Sequence, residues 1–178
     1  MRPWRLLSAL LLYPGPELMA ALPELRRAAD ELPRSPGRSE ISDFLAWLEA
    51  TPLEEAQRTY VQTFDFGRRA ALHLTYHTHG DRRQRGLELV RLKRRFAEAG
   101  LELVDTELPD YLPALLEFAA LASDGAGEAL LAELRAPLEL VRAALHDERS
   151  PYAGLLDAVC AVLPRATRAQ LEAARRIA

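Results

Sequence analysis

The chain is poor in cysteine, lysine, aromatics and long apolar runs, and each shortage removes a class of protein. Cys160 is the only cysteine in 178 residues, so neither a disulfide framework nor a thiolate metal cage can be built from this chain. It lies in the apolar run 155–163 and reads as a small buried hydrophobe. Aromatics make up 7% of the chain while 49% is hydrophobic, so the core must be filled mainly with leucine and alanine. Nothing approaches the roughly 18 consecutive apolar residues of a membrane span. The apolar stretch 6–12 ends in Tyr13-Pro14-Gly15-Pro16 without a small-x-small cleavage pattern, which favours a short first helix over a signal peptide. A net charge of -3 gives no overall attraction to nucleic acid or anionic lipid. These features lead us to expect a cytoplasmic protein with neither a nucleic-acid partner nor a membrane insertion.

Strand signals are also missing, because β-branched alternation never persists for five residues, whereas Leu, Ala, Arg and Glu dominate. The predicted architecture is all-α, a single-domain bundle of about eight helices over 1–164, followed by a tail, 165–178, that is frayed or disordered. Helices are predicted over 3–12, from Pro16 with Leu18, Met19, Leu22, Leu25 and Ala29 inward, and over 39–50. Thr51-Pro52-Leu53-Glu54 predicts the next start, with a Thr N-cap, Pro at the first position and Glu closing a capping box. Further helices are expected to about Thr78, over 82–99 with Gly100 at C′, from Pro109, over 128–145 with a break near Pro137, and over 152–163.

What the chain does have is concentrated in residues 64–86, which hold three of the four histidines and five arginines. If this run is helical to Thr78, Asp65, Arg69, His73 and His77 fall at i, i+4, i+8 and i+12 and form one polar ridge. Charge is segregated: 64–96 carries nine basic residues against three acidic ones, and 98–110 has five acids and no base. Arg82, Arg83 and Arg85 sit at a helix start, where the dipole disfavours cations unless an anion is present. Glu107-Leu108-Pro109-Asp110-Tyr111-Leu112-Pro113 reads either as an ordinary helix start or as an acidic, proline-stiffened rim able to grip a basic amphipathic peptide. His73, His77 and His79 with Asp81 form the only metal-like spacing. It lacks the Glu of H-E-x-x-H and has no cysteine, so hydrogen-bonding histidines are the preferred reading, with no metal and no cofactor. No Walker loop, dinucleotide fingerprint, nucleophile elbow or paired carboxylates on one helical face supply a catalytic engine.

Y-V-x-T-F-D from Tyr60, then R-R, L-H-L-x-x-H-x-H-G-D-R-x-x-R-G and E-L-P-D-Y-L-P-x-x-L-E-F, together with weaker L-L-x-Y-P and P-Y-x-x-L-L matches, resemble one family. The chain is similar to the nitrate reductase delta-subunit family of NarJ and NarW molybdenum-cofactor assembly chaperones, related to redox-enzyme maturation chaperones such as TorD and DmsD. It departs from the pattern at Tyr76, where an acid is expected, and at Ala71, where a hydroxyl residue is usual.

The resemblance implies a TorD-like, non-catalytic helical chaperone in the cytoplasm. Its client would be the apo alpha subunit of a respiratory nitrate reductase, recognised at an N-terminal segment that is a twin-arginine leader or its remnant. The client would be held for cofactor insertion and before membrane docking. The candidate client-binding residues are Asp65, Arg69, His73, His77, His79, Asp81, Arg82, Arg85, Glu107, Pro109, Asp110 and Tyr111. The competing expectation is a metal-dependent hydrolase built on His73, His77 and His79; a nucleic-acid binder using 82–95 is weaker, because the chain is net acidic and the arginines have no interleaved aromatics.

Overall fold

Leucine and alanine at helical spacing build a bundle around one core. The computed structural model describes residues 3–34, 37–80, 83–104 and 107–176. Among them are α1 (Trp4–Leu10), α2 (Pro16–Asp30), α3 (Arg38–Ala50), α4 (Leu53–Tyr60), α5 (Tyr76–His79), α6 (Arg83–Glu98), α7 (Leu112–Leu121), α8 (Ala126–Glu133), α9 (Arg135–Asp147), α10 (Ala153–Val162) and α11 (Arg168–Arg175). The fold is all-α. No strand occurs among the described residues beyond one isolated antiparallel bridge, His73 to Tyr111, and no helix there is long and apolar enough to cross a membrane.

α1 packs on α7, which carries α8; α3 lies on α10, α10 on α9, and α9 on α11. Where these layers meet, the few aromatics are pooled. Phe44, Tyr60 and Phe64 all contact the Tyr152 ring, with centroids 4.9, 5.9 and 4.9 Å away, an edge-rich geometry that adds to burial. Leu7, Leu45, Leu74, Leu115 and Leu156 are fully enclosed in the same core.

Several predicted boundaries move. The Thr51 hydroxyl donates back to the Trp47 carbonyl at 2.6 Å and not to the following helix, so the capping box does not form and α4 starts after Pro52. The helix expected from Pro109 begins at Leu112, with Pro113 in its first turn. The 128–145 helix divides at Leu134. Gly100 does occupy C′, at φ 71. Its N–H donates to the Ala97 carbonyl and that of Leu101 to Phe96, both at 3.0 Å, the paired bonds of a Schellman ending.

The largest difference lies in 64–78, where the continuous ridge does not form. α4 widens into a π-helical turn, Val61–Asp65, closed by the Phe66 N–H to Val61 carbonyl bond at 3.2 Å. The chain then folds back so tightly that a Cβ on Gly67 would lie 2.6 Å from the Thr63 carbonyl oxygen, and any larger residue would force this turn apart. After a 3₁₀ turn, Arg68–Ala70, the backbone extends. Leu72 and Leu74 are buried and His73 between them is not, which is the period of a strand. Burying both leucines through an extended segment wins over the helical stripe.

Candidate functional site

The extended segment meets the chain before α7. The Leu74 N–H donates to the Asp110 carbonyl at 3.0 Å and that of Leu112 to Leu72 at 2.9 Å. His73 and Tyr111 thereby become a non-hydrogen-bonded antiparallel pair, in which side chains approach closely, and their ring centroids are 5.2 Å apart.

Asp110 forms the centre of this junction. Its carboxylate has no exposed surface, yet each oxygen is used. Oδ1 lies 3.2 Å from His73 Nδ1; Oδ2 accepts from the buried Thr75 hydroxyl at 2.5 Å and from Arg85 Nη2 at 3.4 Å. Arg85 Nε also donates to Thr75 Oγ1, at 3.2 Å. Burial pushes the Asp110 carboxyl up, but the hydrogen bonds from His73 and Thr75 and the nearby charges outweigh it and hold the group below the usual carboxylate range. A buried charge is tolerable only with such partners. On the other face of the junction, the Tyr111 hydroxyl lies 3.1 Å from that of Tyr60, which donates to the Leu11 carbonyl at 3.3 Å. Burial pushes both phenols up, so they serve as neutral hydrogen-bonding groups.

This is a clamp and not a catalytic triad. The Thr75 hydroxyl binds the same carboxylate as His73, is fully buried, and so is not an accessible nucleophile activated through the other imidazole nitrogen. His77 Nε2 is 2.7 Å from the Ala71 carbonyl. Among the described residues, no group of three or more His, Cys, Asp or Glu is placed to hold a metal ion. The three-histidine hydrolase site is therefore not assembled, because the imidazoles of His73 and His77 serve internal hydrogen bonds.

Of the candidate residues, His73, Arg85, Asp110 and Tyr111 come together, with His77 beside them. Asp110, expected on an exposed acidic rim, is instead interior. Arg85 finds its anion within the chain, and its guanidinium carbon also lies 6.0 Å from the centre of the Tyr76 ring, so the residue standing where an acid was expected still faces a cation. Arg69, expected beside His73 on the ridge, points to α9 and pairs with Asp147 at 2.8 Å. Asp65 is exposed at the end of the π-helical turn, His79 ends α5 half-buried, Pro109 is buried and Glu107 is exposed. Asp81 and Arg82 lie outside the described residues. Thr75 and Tyr60 complete the junction and are not among the candidate residues that the sequence suggests; the Leu-His-Leu alternation is the one local signal for it.

Burial holds His77 below the ordinary histidine range, against the opposing effects of the Ala71 carbonyl and Asp110. A depressed folded value stabilises the protein above the unfolded value, about 6.5, and that contribution is lost as pH falls through the folded value. The urea midpoint of the wild type should therefore fall on acidification below about pH 6.5, and less steeply in His77→Gln; parallel profiles would show that His77 does not drive the loss.

Beside the junction, Leu89, Val90, Lys93, Val104, Glu107 and Leu108 line a recess of about 240 Å³. Of its lining, Val90, Val104 and Leu108 are exposed, as are Lys93 and Glu107. Leu87, three residues before Val90 on α6, is exposed as well, and so are Glu98 at the end of α6 and Glu102 in the following stretch of chain.

Comparison with known proteins gives this arrangement a lineage. The family described as nitrate reductase delta subunit matches residues 17–158. The chain is 34% identical over 157 residues to the probable nitrate reductase molybdenum cofactor assembly chaperone NarJ of Bacillus subtilis, covering 88% of this chain and 85% of that one. It is 34% identical over 155 residues to the nitrate reductase molybdenum cofactor assembly chaperone NarJ of Escherichia coli, covering 85% and 65%. Against the nitrate reductase-like protein NarX of Mycobacterium tuberculosis it is 38% identical over 162 residues, but spans only 24% of that longer chain. A match over most of the bundle, at this identity, shows that the chain belongs to the nitrate reductase delta subunit family.

Proposed function

We propose that the chain is a chaperone, not an enzyme, that works in the cytoplasm on a respiratory nitrate reductase. It binds the apo alpha subunit at its N-terminal segment, a twin-arginine leader or the remnant of one, and holds it for molybdenum cofactor insertion before membrane docking. The observation that carries this reading is the likeness to a cofactor assembly chaperone along 85% of that relative's length. The central polar cluster agrees with it, since its groups are engaged in holding the chain together.

The face around the 240 Å³ recess suits such a client. Leu87, Val90, Val104 and Leu108 are exposed; Glu107 lies in the same lining as Lys93, and Glu98 at the end of α6 and Glu102 in the chain leading to Glu107 are exposed. A basic amphipathic helix would place apolar side chains on the first group and cations against the second. Asp110, His73 and Arg85 would act from beneath, by fixing the connector that carries Leu108 and Glu107.

Calorimetric titration with a synthetic peptide from the client's N-terminus tests this. Binding with a negative heat-capacity change is expected. Val90→Asp should weaken it by about 2 kcal/mol, since a charge would enter the apolar contact, and Glu107→Gln should weaken it severalfold at low salt and less at high salt. A peptide that binds Val90→Asp as tightly as wild type would place the client elsewhere.

A further inference from the structure

On the side of the bundle formed by α9, α10 and α11, a second polar site stands apart from the Asp110 junction. Arg135, Glu139, Arg142 and Arg165 line a recess of about 460 Å³ whose apolar walls include Leu140 and Leu171. Arg135 is buried. Its Nη1 donates to the Cys160 carbonyl at 2.7 Å, and its Nε and Nη2 grip Glu139 Oε1 at 3.0 and 2.5 Å. The second Glu139 oxygen takes Arg142 Nη1 at 2.9 Å. Arg142 Nε turns to Asp157, which also meets His146 at 2.9 Å, and neither Asp157 nor His146 lines the recess.

The charges of the lining do not balance. Three guanidiniums face one carboxylate. Burial pushes the Glu139 carboxyl up, but Arg142 and Arg135 outweigh that and hold it below its ordinary range, so it is an anion; with Asp157 paired to Arg142 from outside the lining, one positive charge is left in excess. Donors are also left over: Arg142 Nη2 and the whole Arg165 guanidinium have no hydrogen-bond partner among the described residues. Arginine forks match oxyanions in geometry as well as charge. A phosphate monoester presents three strong acceptor oxygens, which suit the unused donors of two guanidiniums better than the two oxygens of a single carboxylate do. The volume falls within the range of small-molecule sites, larger than a bare ion needs, and the leucine walls can cover an organic group.

We infer that this recess binds a small phosphate monoester, with the phosphate between Arg142 and Arg165 and the organic part against Leu140 and Leu171. Calorimetry on the full chain at pH 7.5 and low salt tests it with phenyl phosphate, inorganic phosphate and benzoate as probes. Phenyl phosphate should bind saturably, severalfold more tightly than inorganic phosphate and roughly tenfold more tightly than benzoate. Arg165→Gln removes an exposed, unpaired side chain without touching the buried pairs, and should weaken phenyl phosphate binding by about tenfold or more. Arg168→Gln deletes the same charge three residues away, from a side chain paired with Glu172 at 2.9 Å, and should change affinity less than about twofold. Absence of saturable binding, benzoate binding as tightly as phenyl phosphate, or equal losses in the two variants would each overturn the assignment.

Discussion

Replacing Asp110 by Ala should lower the unfolding free energy by about 3 kcal/mol, at the lower end of the range for breaking a buried ion pair. The lower end applies because Arg85, with its side chain 21% exposed, can recover some hydration. Thr75 cannot, since it is fully buried and would lose the acceptor for its hydroxyl proton. Asp110→Asn should cost less, because the amide keeps an oxygen for Thr75 while losing the charge that faces Arg85. The two variants also differ from wild type in acid. With the folded Asp110 held below its ordinary value, its stabilisation is present above the unfolded value of about 3.9 and lost as pH falls through the folded value. Urea unfolding at neutral pH and near pH 3 should therefore show the gap between wild type and Asp110→Asn narrowing in acid. A loss under about 1 kcal/mol for Asp110→Ala would mean that water replaces the carboxylate and that the junction does not brace the connector.

Gly127→Ala should be similarly damaging, for a reason of space. A Cβ at Gly127 would lie 2.2 Å from the Ala119 Cα and 3.0 Å from its Cβ, so α7 and α8 touch backbone to backbone and no side chain can swing aside. Overpacking typically costs 1–3 kcal/mol, while the gain in helix propensity from Gly to Ala is about 1 kcal/mol. A backbone clash this close puts the net loss near 2 kcal/mol. Ala119→Gly should not rescue it fully, because the nearest obstructing atom is the main chain. Gly86→Ala is the contrasting case: Gly86 lies in α6 with nothing within 4 Å of the added carbon, so the same change should stabilise by roughly 0.5–1 kcal/mol. Thermal unfolding of both variants checks the opposite signs, and destabilisation by Gly86→Ala would show that α6 depends on that position in a way its packing does not reveal.

The helical class was legible because it rests on local chemistry repeated along the chain. Leu22 and Ala29 in α2, and Ile41, Phe44, Leu45 and Leu48 in α3, are buried at the expected spacing, and Gly100 ends α6 as its conformational freedom predicts. The family was legible in the motifs between Tyr60 and Leu121. The site was legible only as a set of residue types: the sequence marks His73, Arg85, Asp110 and Tyr111, but as separate features, a helical ridge, a helix start and an exposed acidic rim.

Tertiary structure decided how those features join. The i, i+4 spacing of Asp65, Arg69, His73 and His77 is a regularity that only a continuous helix would express, and burial of Leu72 and Leu74 in an extended segment outweighs it. That extended segment needs a partner for its backbone, and the partner is Tyr111, 38 residues away from His73 in the chain. Once the two strands of chain meet, Asp110 is carried inward, and a residue that local reading places on a rim becomes the buried anion for His73, Thr75 and Arg85. Propensity and motif act over a few residues and are written in the sequence directly. Which polar groups are enclosed together depends on the packing of distant segments, and no local spacing encodes it.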